Sequence, residues 1–128
     1  MRPAHLLLPT FLLIACGDTP ETAVDHYHRF EEDVALMADI GVRAYRFSIS
    51  WSRLIPDGTG EMNPEGLEFY RMLCQALVDA GIEPAATLSH WDLPQALEDE
   101  GGWTVRSTAE AFADYADLVV GELGDRVS

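Results

Sequence analysis

An imidazole, an indole and a carboxylate stand in a row at His90-Trp91-Asp92, within Thr87-Leu88-Ser89-His90-Trp91-Asp92-Leu93-Pro94. Imidazole and carboxylate can hydrogen-bond hydroxyl groups, and an indole offers a flat face to an apolar ring. Together these groups suit a sugar. The plainer alternative is a buried His-Trp pair with a structural role. Pro94 cannot donate to a sheet ladder, so the extended segment must close before it. Arg46 is a second residue of interest. It lies in Val42–Trp51, where Arg43, Tyr45, Phe47, Ile49 and Trp51 alternate with Val42, Ala44, Arg46, Ser48 and Ser50. The first row is bulky and suits the helix-covered side of a parallel strand; the second is small or polar and faces a confined interior. A guanidinium there calls for a carboxylate partner to offset its desolvation. A structural ion pair answers that need as well as a functional one.

The remaining reactive side chains form no recognisable centre. His26 and His28 sit two residues apart, but no third ligand lies at useful spacing, so a structural or surface role is expected and no metal. Cys16 and Cys74 make neither a disulfide framework nor a metal spacing. Cys74 falls on an apolar helical face and reads as a small core residue. No cofactor is expected. Of the 128 residues, 48% are hydrophobic, enough for a packed core. Acids outnumber Lys plus Arg by 22 to 8, for a net charge of -14. That field repels phosphate, which argues against nucleic acid or an anionic membrane surface as a partner.

The elements that must position these groups alternate along the chain. Phe30, Val34, Met37 and Ile40 recur at helical spacing from Asp25, and Gly41 closes the helix. Val42–Trp51 is the first expected strand, and a turn-rich loop follows at Pro56-Asp57-Gly58-Thr59-Gly60. Asn63-Pro64-Glu65 supplies an N-cap, a first-turn proline and a first-turn acid. The helix it opens carries Leu67, Tyr70, Leu73, Cys74 and Leu77 on one face and ends at Gly81. Ile82–Trp91 is the second expected strand, with Ala86, Leu88 and His90 on one side. Ser107-x-x-Glu110 has the form of a capping box. It precedes a helix bearing Phe112, Tyr115, Val119 and Leu123, stopped by Gly124, with Val127 placed to begin a third strand. The punctuation Asp39-Ile40-Gly41-Val42 returns as Asp79-Ala80-Gly81-Ile82. Repeated helix, glycine, strand and loop imply an α/β fold with a parallel sheet. Right-handed crossovers then gather the strand C-termini on one rim, where both open α/β sheets and (β/α)8 barrels bind ligands.

Residues 1–16 differ from the rest. Arg2 precedes an apolar run from Leu6 to Ala15, the length of a signal-peptide core and too short to span a bilayer. Leu13-Ile14-Ala15-Cys16 is similar to a lipoprotein cleavage box, in which Cys16 would carry lipid. The competing reading is a start with no role. The domain reading is therefore 1–16 as a signal- or lipoprotein-like segment or spurious start, and 17–128 as the folded part. A cytoplasmic protein is expected, with an exported lipoprotein as the alternative; a membrane is a partner only if Cys16 is lipidated.

Three long runs resemble family 1 glycoside hydrolases, the retaining β-glucosidases and their relatives. They are Asp25-His26-Tyr27-His28-Arg29-Phe30-Glu31-Glu32-Asp33, Tyr45-Arg46-Phe47-Ser48-Ile49-Ser50-Trp51-Ser52-Arg53 and Thr87-Leu88-Ser89-His90-Trp91-Asp92-Leu93-Pro94-Gln95-Ala96-Leu97. Gly101-Gly102-Trp103 and Phe112-Ala113-Asp114-Tyr115-Ala116 continue the likeness, which covers residues 17–128. The resemblance implies the N-terminal part of a (β/α)8 TIM barrel, a partial barrel of two to three of its eight βα units. It implies hydrolysis of β-O-glycosidic bonds by two glutamates whose carboxyls stand ~5–5.5 Å apart. It assigns His90 and Trp91 to the subsite for the non-reducing sugar, and Arg46 to support of the nucleophile carboxylate.

The family's acid/base motif, Thr-x-Asn-Glu-Pro, and its nucleophile motif, Glu-Asn-Gly, do not occur in these 128 residues. Nor is the family's first strand, with its sugar-binding Gln, evident in residues 1–16. Asp92, Glu98, Asp99 and Glu100 fall near the rim, but none is paired with a second carboxylate by its spacing. No catalytic residue is therefore assigned, and the chain alone is expected to be inactive. The expected partner is a β-glycoside or oligosaccharide, together with a complementing barrel fragment. A non-catalytic carbohydrate-binding or assembly subunit, lipid-anchored through Cys16, is the alternative from another class. An unrelated open α/β module using the same rim is the third reading. Two or three strands leave sheet edges unpaired, so marginal stability is expected.

Overall fold

In the computed structural model, residues 24–127 are described. The leader-like segment, the Leu13–Cys16 box and the 1–16 boundary lie outside them. Helix α1 spans His26–Asp39, strand β1 Ala44–Ser48, a single turn α2 Trp51–Leu54, and helix α3 Pro64–Asp79. Strand β2 then spans Glu83–Thr87, a short helix α4 Gln95–Asp99, a 3-10 turn Gly102–Thr104, and helix α5 Arg106–Leu123.

The repeated glycine punctuation is one cap used twice. After α1, Gly41 adopts φ 81° and the Val42 N–H reaches back to the Met37 carbonyl at 2.9 Å. After α3, Gly81 adopts φ 72° and the Ile82 N–H reaches Leu77, also at 2.9 Å. Both close a helix with a left-handed residue and send the chain directly into a strand. Ile40, expected on the apolar face of α1, is instead exposed. It occupies the cap itself, one residue beyond the last helical position, where the chain has begun to turn away from the core.

The two strands pair in parallel, Ala44 opposite Glu83 through Ser48 opposite Thr87. Phe47, Ile49 and Trp51 bury the bulky row, and Ala86 and Leu88 pack against the same core. Leu73, Cys74 and Leu77 of α3 and Tyr115, Val119 and Leu123 of α5 complete it. Arg71 of α3 and Glu122 of α5 form an ion pair between these two helices. Among the described residues the result is a two-stranded parallel piece of a (β/α)8 barrel, open rather than curled, with helices on one face.

The structure shortens both expected strands. The ladder ends when the Ile49 N–H bonds the Thr87 carbonyl at 2.9 Å. Beyond it, the Ser50 N–H is taken by the Tyr70 hydroxyl at 2.7 Å, so no sheet partner remains and Trp51 starts α2. The capping box at Ser107 does not form. Helix α5 begins at Arg106 with Val105 at its cap position and no side-chain cap bond. The preceding 3-10 turn feeds the helix a residue early, leaving Ser107 inside the first turn, while Glu110 pairs with Arg106 at 3.3 Å. Val127 packs against the core without forming a strand among the described residues.

Candidate functional site

Parallel pairing brings the ends of β1 and β2 to one level, since Ser48 and Thr87 are the last partners in register. The chain leaves that level in two segments. One runs from Ile49 through α2 into the Pro56–Gly60 loop; the other runs from Leu88 through the His90–Trp91 bend to α4. These two segments are packed on each other. Gly58 has φ 81°, and a β-carbon there would collide with Leu97 and crowd Pro94.

Arg46 lies in the middle of β1, on the uncovered face of the sheet, and is exposed. Its guanidinium donates to Thr87 Oγ1 across the strands at 3.0 Å. The sequence called for a confined interior and a carboxylate partner. Among the described residues Arg46 has neither: helices cover one face of the two paired strands and leave the other open. His90 is also exposed. Its backbone N–H donates to Asp92 Oδ1 at 3.2 Å, a local turn closed by the carboxylate. The side-chain alternation of β2 continues through Leu88 but not to His90, because the strand has already ended at Thr87.

Trp91 is 94% exposed and adopts φ 76°. A large side chain in left-handed backbone costs of the order of 1–3 kcal/mol, which the surroundings must offset. The indole face is thus held out from the protein rather than buried, and the plainer alternative of a buried His-Trp pair does not occur. No hydrogen bond or ring contact among the described residues joins Arg46, His90 and Trp91 to one another. They share a platform rather than a contact.

The rim acids are tied into the loop. Asp99 accepts from Gln95 Nε2 at 2.8 Å, and the Glu98 carboxylate lies over Gly102, where a β-carbon would strike it. Asp92 is occupied by the His90 amide. The arrangement offers hydroxyl partners and an aromatic face.

Sequence reasoning placed Tyr70, Tyr115 and Trp51 in the apolar rows and overlooked what two of the hydroxyls do. Tyr115 stacks on Trp51, ring centres 4.9 Å apart and planes at 13°. Its hydroxyl donates to the Leu88 carbonyl at 2.8 Å, with a longer approach of 3.3 Å to Ile49 O. Burial pushes both phenols above the ordinary tyrosine range, opposed at Tyr70 by its bond to Ser50. The available signal was chemical: a tyrosine in a buried stripe needs a partner for its hydroxyl.

His26 and His28 bind Asp33 at 2.6 Å and Asp25 at 2.7 Å, and no metal-holding cluster occurs among the described residues. A cleft of about 310 Å³ between the start of α1, Phe47, Arg53 and Phe69 contains none of the three candidate residues.

The model of glycosyl hydrolase family 1 matches residues 10–128. The chain is 53% identical to beta-glucosidase A of Acetivibrio thermocellus over 114 residues, 89% of this chain and 25% of that protein. It is 62% identical to beta-glucosidase 25 of rice over 108 residues, 84% of this chain and 22% of that one. The crystal structure of the psychrophilic beta-glucosidase BglU from Micrococcus antarcticus superposes with a TM-score of 0.82 at 56% identity, covering 89% of this chain and 24% of that structure. The chain thus spans about a quarter of the length of the relatives it matches.

Proposed function

The chain belongs to glycosyl hydrolase family 1, and from that premise we propose that it supplies part of the sugar-binding wall of a retaining β-glycosidase. In this reading His90 hydrogen-bonds sugar hydroxyls and Trp91 offers its face to the pyranose ring. Arg46 holds a nucleophile carboxylate that residues 1–128 do not supply. The observation that carries it is Trp91: an indole 94% exposed, in a backbone conformation that costs energy. Among the described residues no contact rewards that exposure, whereas a stacked sugar would.

Hydrolysis of a β-glycosidic bond needs one carboxyl to protonate the leaving oxygen and a second to form the glycosyl-enzyme. Neither family motif that carries these glutamates occurs in residues 1–128. The 128-residue chain by itself therefore binds without cleaving, and a complementing barrel fragment would supply the chemistry. Arg46, exposed and bonded only to Thr87 Oγ1 among the described residues, favours this division.

Two measurements test the reading. Purified residues 1–128, assayed with a chromogenic β-glucoside, release no product; turnover that survives removal of contaminating hydrolases contradicts the inactive chain. Glucose or cellobiose, titrated against tryptophan fluorescence, gives a saturable change that Trp91→Phe abolishes. A flat titration in the parent chain removes the binding assignment.

A further inference from the structure

The root of the His90–Trp91 bend is held by a helix that reaches neither residue. Leu88 is the first residue beyond β2, and among the described residues its carbonyl takes its hydrogen bond from the Tyr115 phenol, at 2.8 Å. Tyr115 is fully buried on α5 and fixed in place by its stack on Trp51. The bend beyond Leu88 is otherwise closed by the short-range bond from His90 to Asp92. On its far side the bend is anchored by buried Pro94 and Leu97, so on its near side the Leu88 carbonyl is the point at which its direction is set.

We propose that Tyr115 is a positioning residue for the sugar-facing bend, acting through the Leu88 carbonyl. The proposal rests on the reading that His90 and Trp91 contact sugar. The phenol also reaches toward Ile49 O at 3.3 Å, just beyond the end of β1. One proton shared between the exits of both strands fixes their relative height, and so fixes where His90 and Trp91 stand relative to the Arg46 face. Burial keeps that proton on the phenol well above neutral pH.

Tyr70 provides the internal control. It is equally buried, and its hydroxyl accepts the Ser50 N–H at 2.7 Å, so it holds the β1 exit without touching Leu88. A tyrosine whose hydroxyl bond serves the fold but not the bend would behave like Tyr70. A positioning residue would not.

The experiment compares Tyr115→Phe with Tyr70→Phe in the 128-residue chain. It reads the Leu88 carbonyl-carbon resonance, amide exchange at Ser89–Asp92, and the affinity for cellobiose. Tyr115→Phe is expected to move the Leu88 resonance and speed exchange at Ser89–Asp92 about tenfold. It should weaken cellobiose about tenfold, which is 1.4 kcal/mol. Tyr70→Phe is expected to leave all three as in the parent. Equal effects from the two variants, or no change at Leu88 in Tyr115→Phe, overturn the proposal. Should the parent chain fail to bind cellobiose, the sugar reading fails, and the Leu88 and exchange data still decide whether Tyr115 sets the bend. If Tyr115→Phe does not fold, 3-fluorotyrosine at position 115 keeps the ring and strengthens its donation. The Leu88 resonance should then shift, and an unmoved one overturns the proposal.

Discussion

Gly58 and Leu97 are packed so closely that no side-chain carbon fits between them, although one follows β1 and the other follows β2. Their contact fastens the two loops that leave the strand ends. Gly58 also needs φ 81°, which an L side chain rarely adopts. Gly58→Ala therefore incurs two costs: backbone strain of the order of 1 kcal/mol and overpacking of about 1–3 kcal/mol. The urea midpoint should fall by the equivalent of about 2–4 kcal/mol. Leu97→Ala in the same chain opens space for the new methyl, so the double variant should lose less than the sum of the singles.

Asn63 does two jobs at the start of α3. Its Oδ1 accepts the Glu65 N–H at 3.1 Å, and its Nδ2 donates to the Arg53 carbonyl at 3.1 Å. Asn63→Ala should cost about 1–2 kcal/mol by denaturant unfolding. Asn63→Asp restores the cap acceptor but sets a carboxylate against the Arg53 carbonyl. Its stability should fall between those of Asn63→Ala and the parent.

What could be read in advance follows the range of the interaction. Asn63-Pro64-Glu65 and the two glycine caps act within a few residues, and the structure has them as the sequence implies. The burial of Leu67, Tyr70, Leu73, Cys74 and Leu77 follows from helical period alone. Where β1 stops does not. That is settled by a hydroxyl on α3 and a carbonyl on β2, both remote in the chain from Ser50 and Ile49. Ser107-x-x-Glu110 failed for a related reason: a valid local motif was pre-empted by the turn ahead of it. At the site, the row assignment put Arg46 on the correct side of the strand, but its neighbour proved to be Thr87. The bend at His90 escaped because alternation has no means of announcing its own end.

Two arginines should differ in their sensitivity to salt. Arg53 lies over ring faces, 4.7 Å from the Tyr27 centroid and 5.0 Å from that of Phe69. Arg71 pairs with the Glu122 carboxylate in a half-exposed setting. Arg53→Ala should cost about 1 kcal/mol, and Arg71→Ala at most about 1 kcal/mol. Raising NaCl from 0.05 to 1 M shortens the Debye length to about 3 Å and should erase most of the Arg71 effect. The Arg53 effect should persist, since desolvated contact with the rings is screened far less. Equal salt sensitivity in the two variants would refute this division.

Cys74 makes stability depend on alkaline pH. Burial pushes its thiol from 9.0 up to about 11. Between those values the unfolded chain gives up a proton that the folded chain retains, so unfolding becomes easier as pH rises. The contribution is complete below pH 9 and lost by about pH 11. Cys74→Ala should flatten part of the decline between these limits. Tyr70 and Tyr115, also shifted upward by burial, will keep the remainder. At pH 8, in a Cys16→Ser background, the folded chain should resist iodoacetamide and react once urea unfolds it.

Arg46 guards the open face of the sheet. Each strand has one partner among the described residues, and the uncovered side carries Ala44, Arg46 and Ser48 beside Glu83, Ala85 and Thr87, with Glu83 at its far end opposite Ala44. Small residues and unpaired ladder groups invite a second chain, and a charge on that surface opposes it. Arg46→Val should separate two quantities that usually move together. The β-branched residue suits an extended strand and should leave secondary structure by circular dichroism unchanged. The same change removes the cation and its bond to Thr87, so sedimentation velocity should show self-association at concentrations where the parent sediments as a smaller species. Arg46→Lys retains the charge without the guanidinium fork and should sediment like the parent. If Lys and Val associate alike, the Thr87 bond rather than the charge protects the face.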